Sequence, residues 1–275
     1  MQYPVWVNGI ADGRVHPADR GLAYGDGLFE TIRIGRGRAV LADEHFARLA
    51  IGAGVLGLAI DPAVLRDRFL AFLAGCPDEC VAKIIVTRGV SGRGYLPDPE
   101  ATPTVIYSAH DLPDVPAAHA ESGITAGVCA LRLAEQPALA GLKHLNRLEQ
   151  VLLRREIDEL GVDEALVMDT EGWVTEGVFS NVFLVRDGEL CTPRIEVAGI
   201  RGVLRGAILH AAAQAGRRVT EGHYGPDDFL GAEEVFFCNS VNGIWPLRQF
   251  GGREWTPGPV TRHWQNFWLE LTGPL

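Results

Sequence analysis

The sequence predicts an α+β protein in two domains. Strand-like and helix-like segments are mixed along the chain without settling into regular β-α-β units, which argues against a doubly wound parallel sheet. The 275 residues are enough for one large domain or two small ones. The stretch DLPDVPAAHAES at 111–122 gathers proline, alanine and acid between better-patterned regions, as a linker does. Together these observations place a smaller N-terminal α+β domain at 1–112, an interdomain linker at 113–121 and a larger C-terminal domain at 122–275.

The elements follow in order. PVWVNGI and ADGRV read as a hairpin with turn residues Asn8-Gly9 and Asp12-Gly13. LFETIRI at 28–34 and RAVLAD at 38–43 form a second strand pair. Residues 43–57 fit a helix with Asp43 as N-cap and Phe46, Leu49 and Val55 at apolar positions. Another helix spans about 62–74, opened by Asp61-Pro62 and stopped at Gly75. CVAKIIVTRGV and PTVIYSAH are strands.

Beyond the linker come a strand at 123–131 and a helix within AGLKHLNRLEQVLLRREI, 140–157. Leu145, Leu148, Val151 and Leu152 would be its buried stripe, and Arg147, Glu149, Arg154 and Arg155 its wet side. Strands at 164–169 and 178–187, a helix at 201–214 and the strand VFFCNS follow. A closing helix near 257–271 carries Trp264, Phe267, Trp268 and Leu271 on its apolar side.

Composition narrows the class. Hydrophobic residues at 47% and charged residues at 22% describe a globular chain. A net charge of −10 argues against nucleic-acid binding, which needs clustered Lys and Arg, and leaves anion capture to a few local arginines. Five scattered cysteines form no zinc-type pair of pairs, so free thiols in a reducing cytosol and no metal site are expected. The N-terminus lacks a basic region followed by a long apolar core, so no signal peptide is expected. No segment reaches the roughly 18 to 20 apolar residues of a membrane span. A cytoplasmic protein without membrane contact is the expectation.

Lys143 stands in an apolar, glycine-loosened approach to the 140–157 helix. A lysine at a buried edge loses solvation and its pKa falls, and the neutral amine is the form that condenses with aldehydes. Four other segments bear on it. In TEGVFSN, Glu176 sits at the edge of an apolar strand. In GIRGVLRGAIL, glycines precede a helix, so the backbone N–H groups of Val203 and Leu204 could face an anion. EHFARL carries Arg48, suited to a phosphate contact. TRGVSGRGY ends a strand in a glycine-rich loop presenting Arg93 and Tyr95.

With DRGLAYGDGLFETIR at 19–33 and DEALVMDTEGWVTEGVFSN at 163–181, these segments give the chain a likeness that spans nearly its whole length. It resembles the fold-type IV pyridoxal-phosphate enzymes, the group of the D-amino acid and branched-chain aminotransferases and aminodeoxychorismate lyase. SGRGY, GLKHLNRLEQ and DEALVMDTEGWVTE look most like the lyase branch.

The resemblance implies a homodimer with pyridoxal 5'-phosphate as cofactor. Lys143 would join the cofactor's aldehyde, and Glu176 would pair with its ring nitrogen. Arg48, the amides of Val203 and Leu204, and Ser240 would hold its phosphate. Arg93 and Tyr95 would bind a substrate carboxylate. The implied reaction is cleavage of 4-amino-4-deoxychorismate to 4-aminobenzoate and pyruvate, in folate biosynthesis; the alternative is amino transfer on D- or branched-chain amino acids.

The sequence departs from the group's patterns in three places. Phe29 stands where the D-amino acid aminotransferases have a tyrosine. Leu204 lacks the hydroxyl that many relatives place there. Asn239-Ser240-Val241 replaces a loop richer in Ser and Thr.

Overall fold

A computed structural model of the chain describes residues 3–273. The chain forms two compact units. One holds the residues up to Leu112 together with Leu142–Asn146; the other holds Pro113–Gly141 and the chain from Arg147 onward. Residues 113–121, expected as a linker, group with the second unit, and part of them is helical. Lys143, expected in the larger domain, groups with the first unit.

The first unit contains β1 (Val5–Val7), β2 (Ile10–Ala11), α1 (Arg20–Tyr24), β3 (Gly27–Gly35), β4 (Arg38–Ala39), α2 (Ala42–Leu56), α3 (Pro62–Leu73), β5 (Cys80–Thr87) and β6 (Thr104–His110). The strands form an antiparallel sheet in the order β2-β1-β6-β5-β3-β4. Successive strand residues point to opposite faces, so β3 turns Leu28, Glu30, Ile32 and Ile34 to one side, all buried. Phe46, Leu49, Phe69 and Phe72 of the two long helices complete that core.

The helix ends differ in part from expectation. α3 is capped by Asp61, which accepts the N–H groups of Ala63 and Val64. α2 begins one residue earlier than expected: Leu41, in left-handed backbone, is its N-cap, and Asp43 lies in the first turn, where a carboxylate still favours the helix dipole. Phe46 and Leu49 are buried, whereas Val55 is exposed.

The second unit contains α4 (Ala118–Glu121), β7 (Ile124–Arg132), α5 (Leu148–Leu160), β8 (Glu164–Met168), β9 (Val174–Gly177), β10 (Asn181–Arg186), β11 (Glu189–Pro193), α6 (Val203–Gln214), β12 (Val219–Gly222), α7 (Pro226–Gly231), β13 (Glu234–Asn239), β14 (Gly243–Phe250), β15 (Arg253–Glu254) and α8 (Pro259–Thr272). The sheet runs β12-β11-β10-β13-β14-β7-β8-β9, with β15 on β14. It is mixed: β7 pairs in parallel with β14 and β8, and α5 provides the β7-to-β8 crossover. Trp264 and Trp268 of α8 are buried, as expected, and Phe267 and Leu271 are half-buried.

The helix after Lys143 corrects the sequence reading. It starts at Leu148, and residues 142–146 are not helical. Its buried residues are Leu153 and Ile157, while Leu148, Val151 and Leu152 are 78%, 56% and 48% exposed. Leu145 precedes the helix, and the buried face lies on Leu153 and Ile157 instead.

Among the described residues, no helix is long and apolar enough to cross a membrane. All five cysteines are free.

Candidate active site

In the first unit, Arg48 is held by a buried acid. Glu30 lies on the apolar face of β3 at 1% exposure, where an ionised group must be paired. Arg48 donates from Nε to Glu30 Oε1 at 2.8 Å and from its terminal nitrogen to Oε2 at 2.5 Å, a bidentate fork. His45 Nδ1 meets the same Oε2 at 2.5 Å. Burial would raise the carboxyl, but the Arg48 charge and the His45 bond outweigh it and hold Glu30 at about 2. Burial also lowers His45, with the charges of Arg48 and Lys143 adding to it against the pull of Glu30. Glu30 thus orients Arg48.

Lys143 is placed by its backbone. Its carbonyl accepts the Phe29 N–H at 2.9 Å, His144 bridges Leu28 in antiparallel fashion, and Leu145 donates to the Gly27 carbonyl at 3.0 Å. The segment is therefore a short extension alongside β3. Gly27 permits that approach, because a Cβ there would stand 2.4 Å from the Val86 carbonyl and 2.8 Å from Leu145 Cδ1. The half-buried Lys143 side chain carries Nζ to 4.5 Å from the centre of the Phe29 ring, in cation–π range. The backbone bond that places Lys143 and the acid that clamps Arg48 thus belong to consecutive residues of β3, Phe29 and Glu30.

Arg93 and Tyr95 lie in the loop between β5 and β6. Both are exposed, Tyr95 at 87%. The loop is tied by its main chain: Arg20 donates to the carbonyls of Gly94 at 2.8 Å and Tyr95 at 3.0 Å.

In the second unit, Glu176 of β9 is buried and its Oε2 accepts the Ile200 N–H at 2.8 Å. Burial lowers Arg147, while the charges of Glu176 and Glu149 act against that shift. Asn181 fastens the next turn: its Nδ2 donates to the Ile200 carbonyl at 2.9 Å and its Oδ1 accepts the Gly202 N–H at 3.0 Å. Gly202 is the N-cap of α6 and brings no capping side chain, so the amides of Val203 and Leu204 open the helix. The first N–H groups of a helix have no partner within it and sit at its positive end, which suits a phosphate. Glu176 and this helix start are therefore joined through residues 200–202. Ser240 is half-buried in the turn after β13, where Asn239 Oδ1 accepts the N–H groups of Val241 and Asn242 at 3.0 and 2.8 Å.

Sequence reasoning missed Glu30, His45, Asn181 and Arg20. Glu30 left a readable signal, a charge on the apolar phase of β3. The other three depend on contacts far along the chain and left none.

The chain has relatives of known kind. Residues 27–250 match the family described as amino-transferase class IV. An aminodeoxychorismate lyase of Vibrio harveyi is 36% identical over 244 residues, covering 88% of this chain and 89% of the relative. The crystal structure of 4-amino-4-deoxychorismate lyase from Pseudomonas aeruginosa superposes with a TM-score of 0.91 at 43% identity, covering 97% of this chain and 98% of that one. The branched-chain amino acid aminotransferase of Escherichia coli superposes at 0.86 with 27% identity, over 98% and 94%. An amine anchored on β3, an arginine clamped by a buried acid, and a bare helix start joined to a buried glutamate are the features of this chain that fall within the matched region, and by that match the chain belongs to the amino-transferase class IV family.

Proposed function

We propose that the chain is a pyridoxal 5'-phosphate-dependent lyase that cleaves 4-amino-4-deoxychorismate to 4-aminobenzoate and pyruvate. The observation that carries this reading is its likeness to the Pseudomonas lyase along nearly the full length of both chains. Phe29 adds to it: the ring beside Lys143 has no hydroxyl to hold the carboxylate of an amino acid undergoing amino transfer.

The residues present fit the cofactor. The capless start of α6 offers N–H donors to a phosphate, and a Cβ at Gly202 would sit 2.1 Å from Asn181 Oδ1, so glycine keeps this turn tight. Arg48 brings a guanidinium already oriented by Glu30. Ser240 is a further phosphate contact in this reading. The buried carboxylate of Glu176 is suited to a protonated ring nitrogen. When bound, the cofactor supplies an electron sink for the pair left by a broken C–H bond.

The protein's residues do the rest. Lys143 Nζ takes the proton from the ring carbon that bears the substrate's amine. The bond from the neighbouring carbon to the enolpyruvyl oxygen then breaks, and the ring becomes aromatic. Lys143 returns the proton to the departing enol, which becomes pyruvate, so atoms balance without water. Arg93 and Tyr95 hold a substrate carboxylate.

The working unit in this reading is a homodimer. Leu148, Val151 and Leu152, at i, i+3 and i+4 of α5, form an apolar row that a monomer leaves wet. Sedimentation of the holoenzyme tests it, and a monomer at working concentration refutes it. For the reaction, purified protein with excess cofactor is given 4-amino-4-deoxychorismate, and 4-aminobenzoate and pyruvate are measured in equal amounts. A yellow, folded holoenzyme that yields neither, yet moves amino groups to 2-oxoglutarate, would be an aminotransferase instead.

A further inference from the structure

The loop of Arg93 and Tyr95 is exposed, yet its backbone has a buried anchor. Arg20, at the start of α1, is 4% exposed. Its two terminal nitrogens donate to the consecutive carbonyls of Gly94 and Tyr95. Its Nε donates to Asp26 Oδ2 at 2.9 Å, and its guanidinium lies 4.7 Å from the centre of the Tyr24 ring. The Tyr24 ring in turn meets the Tyr95 ring at 5.6 Å. One planar side chain thus holds two loop carbonyls, one carboxylate and one aromatic face, a use of the guanidinium that an ammonium cannot copy.

The anchor is itself braced. Asp26 also takes Arg88, from Nε at 2.7 Å and from a terminal nitrogen at 3.1 Å. Arg88 closes the end of α2 by donating to the carbonyls of Leu56 and Gly57 at 2.6 and 2.8 Å. The Arg20 N–H meets the Gly89 carbonyl at 2.9 Å, and Asp19 bridges Val90, so the base of the loop is fixed as well.

We propose that Arg20 is a positioning residue for substrate binding: it sets the backbone of residues 94 and 95, and so directs the side chains of Arg93 and Tyr95. The proposal rests on the reading of that loop as the carboxylate-binding element. Arg20 itself touches no reacting atom. Its removal loosens substrate binding and leaves the proton transfers of Lys143 intact.

The test uses holoenzyme carrying Arg20→Gln and Arg20→Lys. The lysine variant keeps the charge opposite Asp26 and folds even if the glutamine variant does not. Loss of two hydrogen bonds from a charged donor is expected to raise KM about tenfold with kcat within about twofold. Trypsin cleavage after Arg93, followed by mass spectrometry, is expected to speed up about tenfold as the loop opens more often. A purely structural arginine would lower the melting temperature and move neither readout. Unchanged KM and unchanged cleavage in Arg20→Lys overturn the proposal, as does a fall in kcat at constant KM. Faster cleavage in a protein whose wild type makes no 4-aminobenzoate sustains the loop anchor and removes the lyase reading. Wild-type turnover with unaltered variants does the reverse.

Discussion

Glu30→Gln keeps the size of the side chain and removes one buried charge. In the wild type, Glu30 lies at 1% exposure and receives both the Arg48 fork and His45. Its carboxyl is held at about 2, against an ordinary 4.5. That difference corresponds to about 3 kcal/mol of folding stability at neutral pH, and removing one member of a buried pair typically costs about 3–5 kcal/mol. The sign follows from the direction of the shift. A depressed acid stabilises the fold above its unfolded value of 4.5 and loses that contribution as pH falls toward 2. Urea unfolding at fixed cofactor concentration, from pH 7 to pH 3, is the assay, since bound ligand would otherwise shift the midpoint. The variant is expected to be less stable by about 3 kcal/mol at pH 7, and the gap to narrow to about 1 kcal/mol near pH 3. Equal stability at pH 7, or a gap that stays constant to pH 3, would refute the claim that the charge of Glu30 holds Arg48.

Lys143→Ala is expected to abolish 4-aminobenzoate formation while the phosphate contacts still retain some cofactor, read by absorbance and by equilibrium dialysis; near-normal rates would mean that another residue is the base. Gly202→Ala drives a Cβ to 2.1 Å from Asn181 Oδ1. It should break both Asn181 bonds at a cost of about 2 kcal/mol and weaken cofactor binding, whereas wild-type affinity in a calorimetric titration would remove the helix start from the phosphate site. Glu164, fully buried beneath the N–H groups of Ala165 and Val178, is raised by burial from 4.5 to about 7. A raised acid stabilises below its unfolded value and loses that stability as pH rises through 7, by about 3 kcal/mol in all. Thermal melts between pH 4 and pH 8 should decline in the wild type and flatten in Glu164→Gln, and parallel curves would show that Glu164 is not the titrating group.

Most regular elements were legible because their signals are local. Asp61-Pro62 opens α3 with a cap and a fixed φ, and alternation along LFETIRI marks β3. Legibility failed where the deciding partner is distant. The phase of α5 is set by what Leu153 and Ile157 pack against, including Cys129, Val167 and Val178, and no pattern within the helix identifies those residues. The membership of 142–146 in the first unit is decided by bonds to residues 27–29. At the site, residue types were readable from motifs, whereas their supports were not. Arg48 is visible in EHFARL, but its acid stands 18 positions away. The turn of Gly202 is visible in GIRG, but Asn181, which fastens it, stands 21 positions away.

The placement of Lys143 on an extended segment, rather than on a helix, changes what holds it. A helical lysine takes its direction from its own turn, and a neighbour's substitution that shifts the helix shifts the amine. Here the direction comes from backbone bonds to Phe29 and Gly27, and through β3 from the pairing of that strand with β5 over Gly27–Thr87 to Ile34–Cys80. The same strand buries Glu30, which orients Arg48. The backbone anchor of Lys143 and the acid that orients Arg48 are therefore both supplied by β3. Those bonds are made by peptide groups, whereas a residue larger than glycine at position 27 would bring its Cβ against the Val86 carbonyl of β5 and the Leu145 side chain. The precision of the amine thus resides in a glycine and two peptide groups, none of which carries any reactive chemistry.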